Sequence, residues 1–182
     1  KQETNCNDGL DNDGDGSVDA VDADCALPAY VPACAVGQSL LVYKSINVPK
    51  AIPDSNVTGI ASTLTATLPG TIQKTSLVYS ITHTYDADLD ISLTKPAGTA
   101  LDICSDNGST GDGFTNTVLD STCAAPVTGG VAPMSGCYAP EASFASYNGT
   151  SGTGQWTMKI VDDAGGDTGS LTSWALVLCT TP

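Results

Sequence analysis

Turn-forming clusters punctuate this chain, and the short alternating segments between them limit what it can fold into. The clusters are "LPG" at 68–70, "KPAG" at 95–98, "DNGSTGDG" at 106–113, "NGTSGTG" at 148–154 and "DDAGGDTG" at 162–169. In "TIQKTSLVYSITHTY" (71–85), Leu77, Tyr79 and Ile81 alternate against Ser76, Val78, Ser80 and Thr82. In "LDISLTK" (89–95), Leu89, Ile91 and Leu93 alternate against Asp90, Ser92 and Thr94. Side chains on a strand point to opposite faces in turn, so such a segment offers one apolar face as a strand and none as a helix. Long runs of helix formers are absent. The pattern predicts an all-β fold, an antiparallel sandwich or barrel.

Further strands are predicted over 39–48, 60–68, 155–162 and 171–179. Trp156, Met158 and Ile160 share one face, and "LTSWALVLC" reads as a buried closing strand. Trp156 and Trp174 are expected in the core. "KPAGT" places Pro96 and Gly98 at turn positions. Residues 28–38, "PAYVPACAVGQ", read as a linker. The chain thus divides into an Asp-rich loop (1–27), a linker (28–38) and a sandwich (39–182), within a length of 182 residues.

Charge removes several function classes. The net charge is −14, with six lysines and no arginine. Such a surface is a poor match for nucleic acid or for an anionic membrane face. It suits divalent cations. No apolar run is long enough to span a membrane. Seven cysteines without a CxxC spacing point to disulfides in an oxidising compartment rather than to zinc. No signal peptide is visible, and Lys1 reads as the start of a processed or trimmed chain. The expected location is secreted, extracellular or at the cell surface.

The acidic residues cluster. Between Cys6 and Cys25 stand seven aspartates and two asparagines. Asp11, Asp13 and Asp15 precede Gly16, Ser17, Val18 and Asp19, with Asp22 further on: D-x-D-x-D-G-x-V-D-x-x-D. Alternate carboxylates can converge on one hard cation, and glycine at the sixth position permits the sharp turn. Ser17 would offer its carbonyl, and Asp19 a direct or water-mediated contact. Asp22 stands at the twelfth position, where an EF-hand carries glutamate. Neither flank reads as a helix, so a helix–loop–helix hand is not expected. The segment resembles the cysteine-clipped calcium repeats of thrombospondin type 3. That resemblance implies Ca2+ as the ion, with Asp11, Asp13, Asp15, Ser17, Asp19 and Asp22 as ligands. A Cys6–Cys25 disulfide would close the loop, worth roughly 3 kcal/mol in the loop-entropy account.

Across roughly 39–179 a second resemblance emerges. "ITHTY", "DLDISL", "PAGT", "SDNG", "FTNTVLD", "APEASFASYNG" and "GQWTMKIVDDAGGDTGSLTSWALVL" occur in the order seen in the P domain of kexin- and furin-like proprotein convertases. The resemblance implies a jelly-roll β-sandwich of about eight strands. It also implies a non-catalytic module that packs on a neighbouring enzyme or serves a surface protein. Cysteines at 104, 123 and 137 depart from the family pattern, and no protease accompanies these motifs in the sequence.

His83 is the only histidine, no G-x-S-x-G accompanies it, and it is expected to be structural. Eighteen aspartates make chance carboxylate pairs inevitable, so paired acids carry no glycosidase signal. No enzymatic activity is expected. "DADLD" (86–90) and "SDNGSTGDG" (105–113) are loops that can meet at one end of a jelly roll. A second calcium site from Asp86, Asp88, Asp106, Asp112 and Asp120 is the resulting expectation. Cys34 and Cys179 can staple the termini of the sandwich, while Cys104, Cys123 and Cys137 compete for one bond. Asn56, Asn107 and Asn148 head N-x-S/T sequons.

The expected function is that of a non-catalytic extracellular calcium-binding structural or interaction protein, able to join identical chains into a polymer or to bind a protein partner. Two alternatives stand beside it: an accessory domain of a secreted subtilisin-like protease, and a calcium-dependent glycan-binding module.

Overall fold

The alternation in 71–85 becomes the central strand of the larger sheet. The computed structural model describes Glu3 and residues 5–181. Eleven strands follow in chain order: β1 (Ser39–Lys44), β2 (Lys50–Ile52), β3 (Asn56–Ala66), β4 (Thr71–His83), β5 (Leu89–Thr94), β6 (Ala100–Ser105), β7 (Phe114–Asp120), β8 (Ala125–Pro126), β9 (Cys137–Ala139), β10 (Gly154–Asp162) and β11 (Gly169–Thr181). One sheet has the order β1-β11-β4-β7-β9-β8, with β2 also pairing β11; the other has the order β3-β10-β5-β6. Pairing is antiparallel except where the short β9 runs parallel to β7 and to β8. The chain is an all-β sandwich. Among the described residues the helical turns are short 3₁₀ segments, and no helix is long and apolar enough to cross a membrane.

The core lies between the two sheets. β4 contributes Leu77, Tyr79 and Ile81; β5 contributes Leu89, Ile91 and Leu93; β10 contributes Trp156, Met158 and Ile160. β11 adds Leu171, Trp174, Leu176 and Leu178. Both tryptophans are buried, and both indole N–H groups are paired. Trp156 Nε1 donates to Gly152 O at 2.8 Å and Trp174 Nε1 donates to Ser62 Oγ at 2.7 Å. The ring of Trp156 meets Tyr147 edge-on at 5.4 Å.

The larger sheet is covered on its outer face as well. Val42, Val78, Val118, Ala175 and Val177 point away from the main core and form a second cluster with Cys6 and Cys25. Strand register lines these residues up. Val42 pairs with Val177, Ala175 with Val78, and Val78 with Val118. The amino-terminal arm lies across this stripe. Cys6 N donates to Val42 O at 3.2 Å and Asn7 Nδ2 donates to the same oxygen at 2.9 Å.

The segment 28–38 is fastened to the sandwich at several points. Val31, and Leu27 just before it, pack against the outer-face cluster. Tyr30 Oη donates to Asn116 O at 2.7 Å. Lys74 Nζ donates to Pro32 O and Ala33 O, each at 2.6 Å. Three disulfides complete the framework: Cys6–Cys25, Cys34–Cys179 and Cys123–Cys137. Cys104 is the free, buried thiol.

Candidate metal centre

The Asp-rich clasp builds itself from carboxylates that accept their own backbone N–H groups. Asp11 Oδ1 accepts from Gly14 N (2.6 Å) and Asp15 N (3.2 Å), and its Oδ2 accepts from Gly16 N (2.9 Å). Those bonds, led by Gly14 and Gly16, hold the Asp11 carboxyl below its ordinary range. Asp13 Oδ1 accepts from Asp15 N at 3.1 Å, and Asp15 Oδ1 accepts from Ser17 N at 2.7 Å. Gly16 turns the chain at φ +99°, which a side chain would resist. Asp19 reaches back to accept from Asp8 N (2.9 Å) and Gly9 N (2.8 Å). The clasp ends in two 3₁₀ turns, Asp19–Val21 and Ala23–Cys25. Asp22 caps the second, accepting from Asp24 N at 2.6 Å.

Carboxylate oxygens converge within 4.8 Å in three groups: Asp11, Asp13 and Asp15; Glu3, Asp13 and Asp22; and Glu3, Asp8 and Asp19. The first is the alternating triad expected from the motif. The other two depend on Glu3, and one of them on Asp8, residues outside the D-x-D-x-D-G pattern. Glu3 is 0% exposed and Asp22 is 2% exposed. Each has one oxygen held and one open. Glu3 Oε2 accepts from Asn12 N at 2.9 Å, while Glu3 Oε1 and Asp22 Oδ2 have no hydrogen-bond donor. Desolvation pushes the Glu3 carboxyl up, against the Asn12 N–H, and the charges of Asp22, Asp13 and Asp8 push it further. Desolvation likewise raises Asp13, with Asp15 and Asp22 adding repulsion. Buried carboxylate oxygens without donors are rare in folded proteins. This all-oxygen donor set fits a hard divalent cation such as Ca2+.

The second set of expected ligands is divided. The loops 86–88 and 106–113 do meet: Asp86 N donates to Gly111 O at 3.1 Å and Ala87 N to Ser109 O at 3.2 Å. Asp86 is buried and accepts from Gly113 N at 2.8 Å through Oδ1, leaving Oδ2 without a donor. Burial raises its carboxyl to about 6. Asp112 lies close enough to repel it. Asp88 is raised by desolvation and by the charges of Asp162 and Asp167; Asp106 is raised by desolvation and by those of Asp90 and Asp163. Asp120 belongs elsewhere. Sheet register sets it opposite Ser76, whereas Phe114 at the other end of β7 pairs with Ile81, so Asp120 stands a strand's length from the 86–88 loop. There it accepts from Ser76 Oγ and Thr122 N, with Lys74 Nζ at 3.9 Å. Among the described residues, the converging carboxylate triads all lie in the clasp.

His83 is fully committed to structure. It is buried, with Nδ1 at 2.8 Å from Tyr85 O and Nε2 at 3.2 Å from Asp162 Oδ2. Neither ring nitrogen is left to activate a nucleophile. Glycan-binding modules use exposed aromatic platforms, and both tryptophans here are in the core.

The chain is thus a two-sheet β-sandwich with a fully bonded histidine and a carboxylate clasp on its outer face. The chain matches the proprotein convertase P-domain over residues 72–178, more than half of its length, and it belongs to that family. Among solved structures it is similar to the serine protease of Aeromonas sobria. In that protease's complex with the chaperone ORF2, the match has 21% identity and a TM-score of 0.56, covering 80% of this chain and 27% of the protease chain. In the structure of the protease itself, the match has 20% identity and a TM-score of 0.52, covering 82% and 28%. These likenesses show a shared fold. The chain spans little more than a quarter of the length of the proteases it matches. No curated protein matches it.

Proposed function

We propose that the chain is a non-catalytic accessory module of a secreted protein, one that packs against and stabilises a subtilisin-like serine protease domain, with calcium held in its amino-terminal clasp. The observation that carries this reading is the P-domain match together with the closed bonding of His83, which ties up the chain's single imidazole. Disulfides at three places suit an oxidising compartment.

The reading is tested in two steps. Sequencing the gene to either side of these codons is expected to find a serine protease catalytic domain. Deleting the module is then expected to lower that domain's melting temperature. A catalytic domain that melts identically with and without the module would remove the accessory role.

A structural module joining identical chains is the second reading. One feature favours it: β3 is an eleven-residue strand at the edge of its sheet, and an edge strand is a template for pairing. Sedimentation in calcium and in chelator separates the two, since this second reading requires assemblies in at least one condition.

A further inference from the structure

One of the two buried open oxygens of the clasp region, on Glu3, lies outside the sequence motif. Asp11 and Asp19 spend both carboxylate oxygens on backbone N–H groups within the loop. Glu3 and Asp22 each spend one, on Asn12 N and Asp24 N, and keep Oε1 and Oδ2 without a donor. Both side chains are buried, and both point their oxygens to within 4.8 Å of Asp13. Lys44 feels the charges of Asp24 and Asp22, yet among the described residues it makes no ion pair with either. Three carboxylates at this separation, two of them out of water, cannot all stay ionised without a counter-charge.

We propose that one hard cation bridges Glu3, Asp13 and Asp22, and that its binding seats the Cys6–Cys25 clasp on the outer face of the larger sheet. The inference rests on the calcium reading above and assigns that ion's anchoring ligands. Glu3 lies before the clasp disulfide, Asp13 in the Asp-rich loop and Asp22 at the turn leading to Cys25. An ion shared by these three ties together the beginning, middle and end of the segment. Cys6 and Cys25 in turn cover Val42, Val78, Val118, Ala175 and Val177. Without the ion, the three carboxylates repel one another and loosen the cover at its origin. The ion thereby couples a surface loop to the apolar stripe beneath it.

The test uses the full chain, stripped with chelator and titrated with calcium chloride alone, alongside Glu3→Gln and Asp22→Asn. The wild type is expected to bind calcium, and each variant to bind on the order of tenfold or more weakly, because each loses an anionic ligand. Melting supplies the second readout. In chelator, Glu3→Gln relieves repulsion and is expected to melt at or above the wild type; in calcium it is expected to melt below it. Hydrogen exchange at Val42, Val78 and Val177 is expected to slow when calcium is added to the wild type and not when it is added to Glu3→Gln. Wild-type calcium affinity in both variants overturns this assignment and leaves the calcium reading standing. A wild type that neither binds calcium nor shifts its melting point overturns both. A Glu3→Gln variant that melts below the wild type in chelator as well as in calcium marks Glu3 as a packing residue and overturns the inference.

Discussion

At the scale of single residues, burial decides which carboxylates matter. Asp86 sits at 0% exposure with one oxygen bonded to Gly113 N and the other without a donor, and its carboxyl is raised to about 6. A carboxyl raised on folding binds its proton more tightly in the native state than in the unfolded chain. Its ionisation therefore costs stability as pH climbs from about 4, near the unfolded value, to about 6, and the cost persists above that. Replacing Asp86 with asparagine keeps the acceptor for Gly113 N and removes the charge. The variant is expected to be more stable at neutral pH, on the order of 1 kcal/mol after allowance for solvent screening, and to flatten the stability profile between pH 4 and 6. Denaturant melts across that range check it, and an unchanged profile would count against the assignment. Gly169 makes a different kind of demand. A Cβ there would stand 2.0 Å from Thr82 O and 2.5 Å from His83 Cδ2, where β11 passes β4. Gly169→Ala is expected to cost roughly 1–3 kcal/mol through this overlap, measured as a lower denaturation midpoint with an unchanged slope. The sequence announces such sites unevenly. Asp11, Asp13 and Asp15 are legible because their spacing is itself a ligand pattern. Glu3 is not, because its oxygens join the loop only after the Cys6–Cys25 bridge folds the arm back. Its one signal is a lone acidic residue three positions before the first clasp cysteine.

At the scale of elements, alternation foretold the strands that have one wet face and one dry face. β5 and β10 bury the residues their period-2 patterns select; β4 buries Leu77, Tyr79 and Ile81 in the same way, but Ser76 and Val78 on its other face are buried too. The patterns are less informative where both faces are covered. Ala175 and Val177 of β11 read as parts of a continuous apolar run, and nothing in that run says that the clasp is what covers them. The 28–38 segment reads as a linker from its own residues; its attachment depends on Lys74 and Asn116, which are remote in sequence. Disulfides show the same division. Cys6–Cys25 and Cys34–Cys179 follow from where the ends of a clasp and a sandwich must lie. Cys123–Cys137 needed the parallel pairing of β7 with β9, which brings Cys137 opposite Val118. Loop entropy ranks the last two bonds. Cys34–Cys179 spans 145 residues and Cys123–Cys137 spans 14. The chain-entropy relation makes the longer closure roughly 2 kcal/mol more stabilising. The double substitution Cys34→Ala with Cys179→Ala should therefore lower the denaturation midpoint more than Cys123→Ala with Cys137→Ala. Equal losses would show that native-state effects outweigh the unfolded-state constraint.

At the scale of the whole molecule, charge is the term that no packing argument supplies. A chain of 182 residues carrying −14 repels itself when folded into a small sandwich, and much of that charge is gathered in one arm. Two kinds of cation can relieve the repulsion. A monovalent salt screens it everywhere and with modest effect, because its Debye length shortens only gradually. A divalent ion bound in the clasp neutralises one place and stabilises by mass action in proportion to its free concentration over its dissociation constant. The two mechanisms separate at fixed ionic strength. In chelator, raising sodium chloride from about 10 mM to about 300 mM spans most of the screening range and should lift the melting temperature by a few degrees. At a constant ionic strength near the upper end of that range, calcium should lift it further and saturably, with a midpoint that matches the calorimetric affinity. Magnesium should do less, because its smaller shell demands near-octahedral geometry from a site built of protein carboxylates. If calcium raises the melting temperature no more than an equal ionic strength of sodium chloride does, the clasp is a diffuse acidic surface and the ion has no site. A saturable excess that disappears in Glu3→Gln would make the same seven aspartates a liability in low calcium and a fastening in high calcium. The acidic arm would then be tuned to the difference between those two conditions.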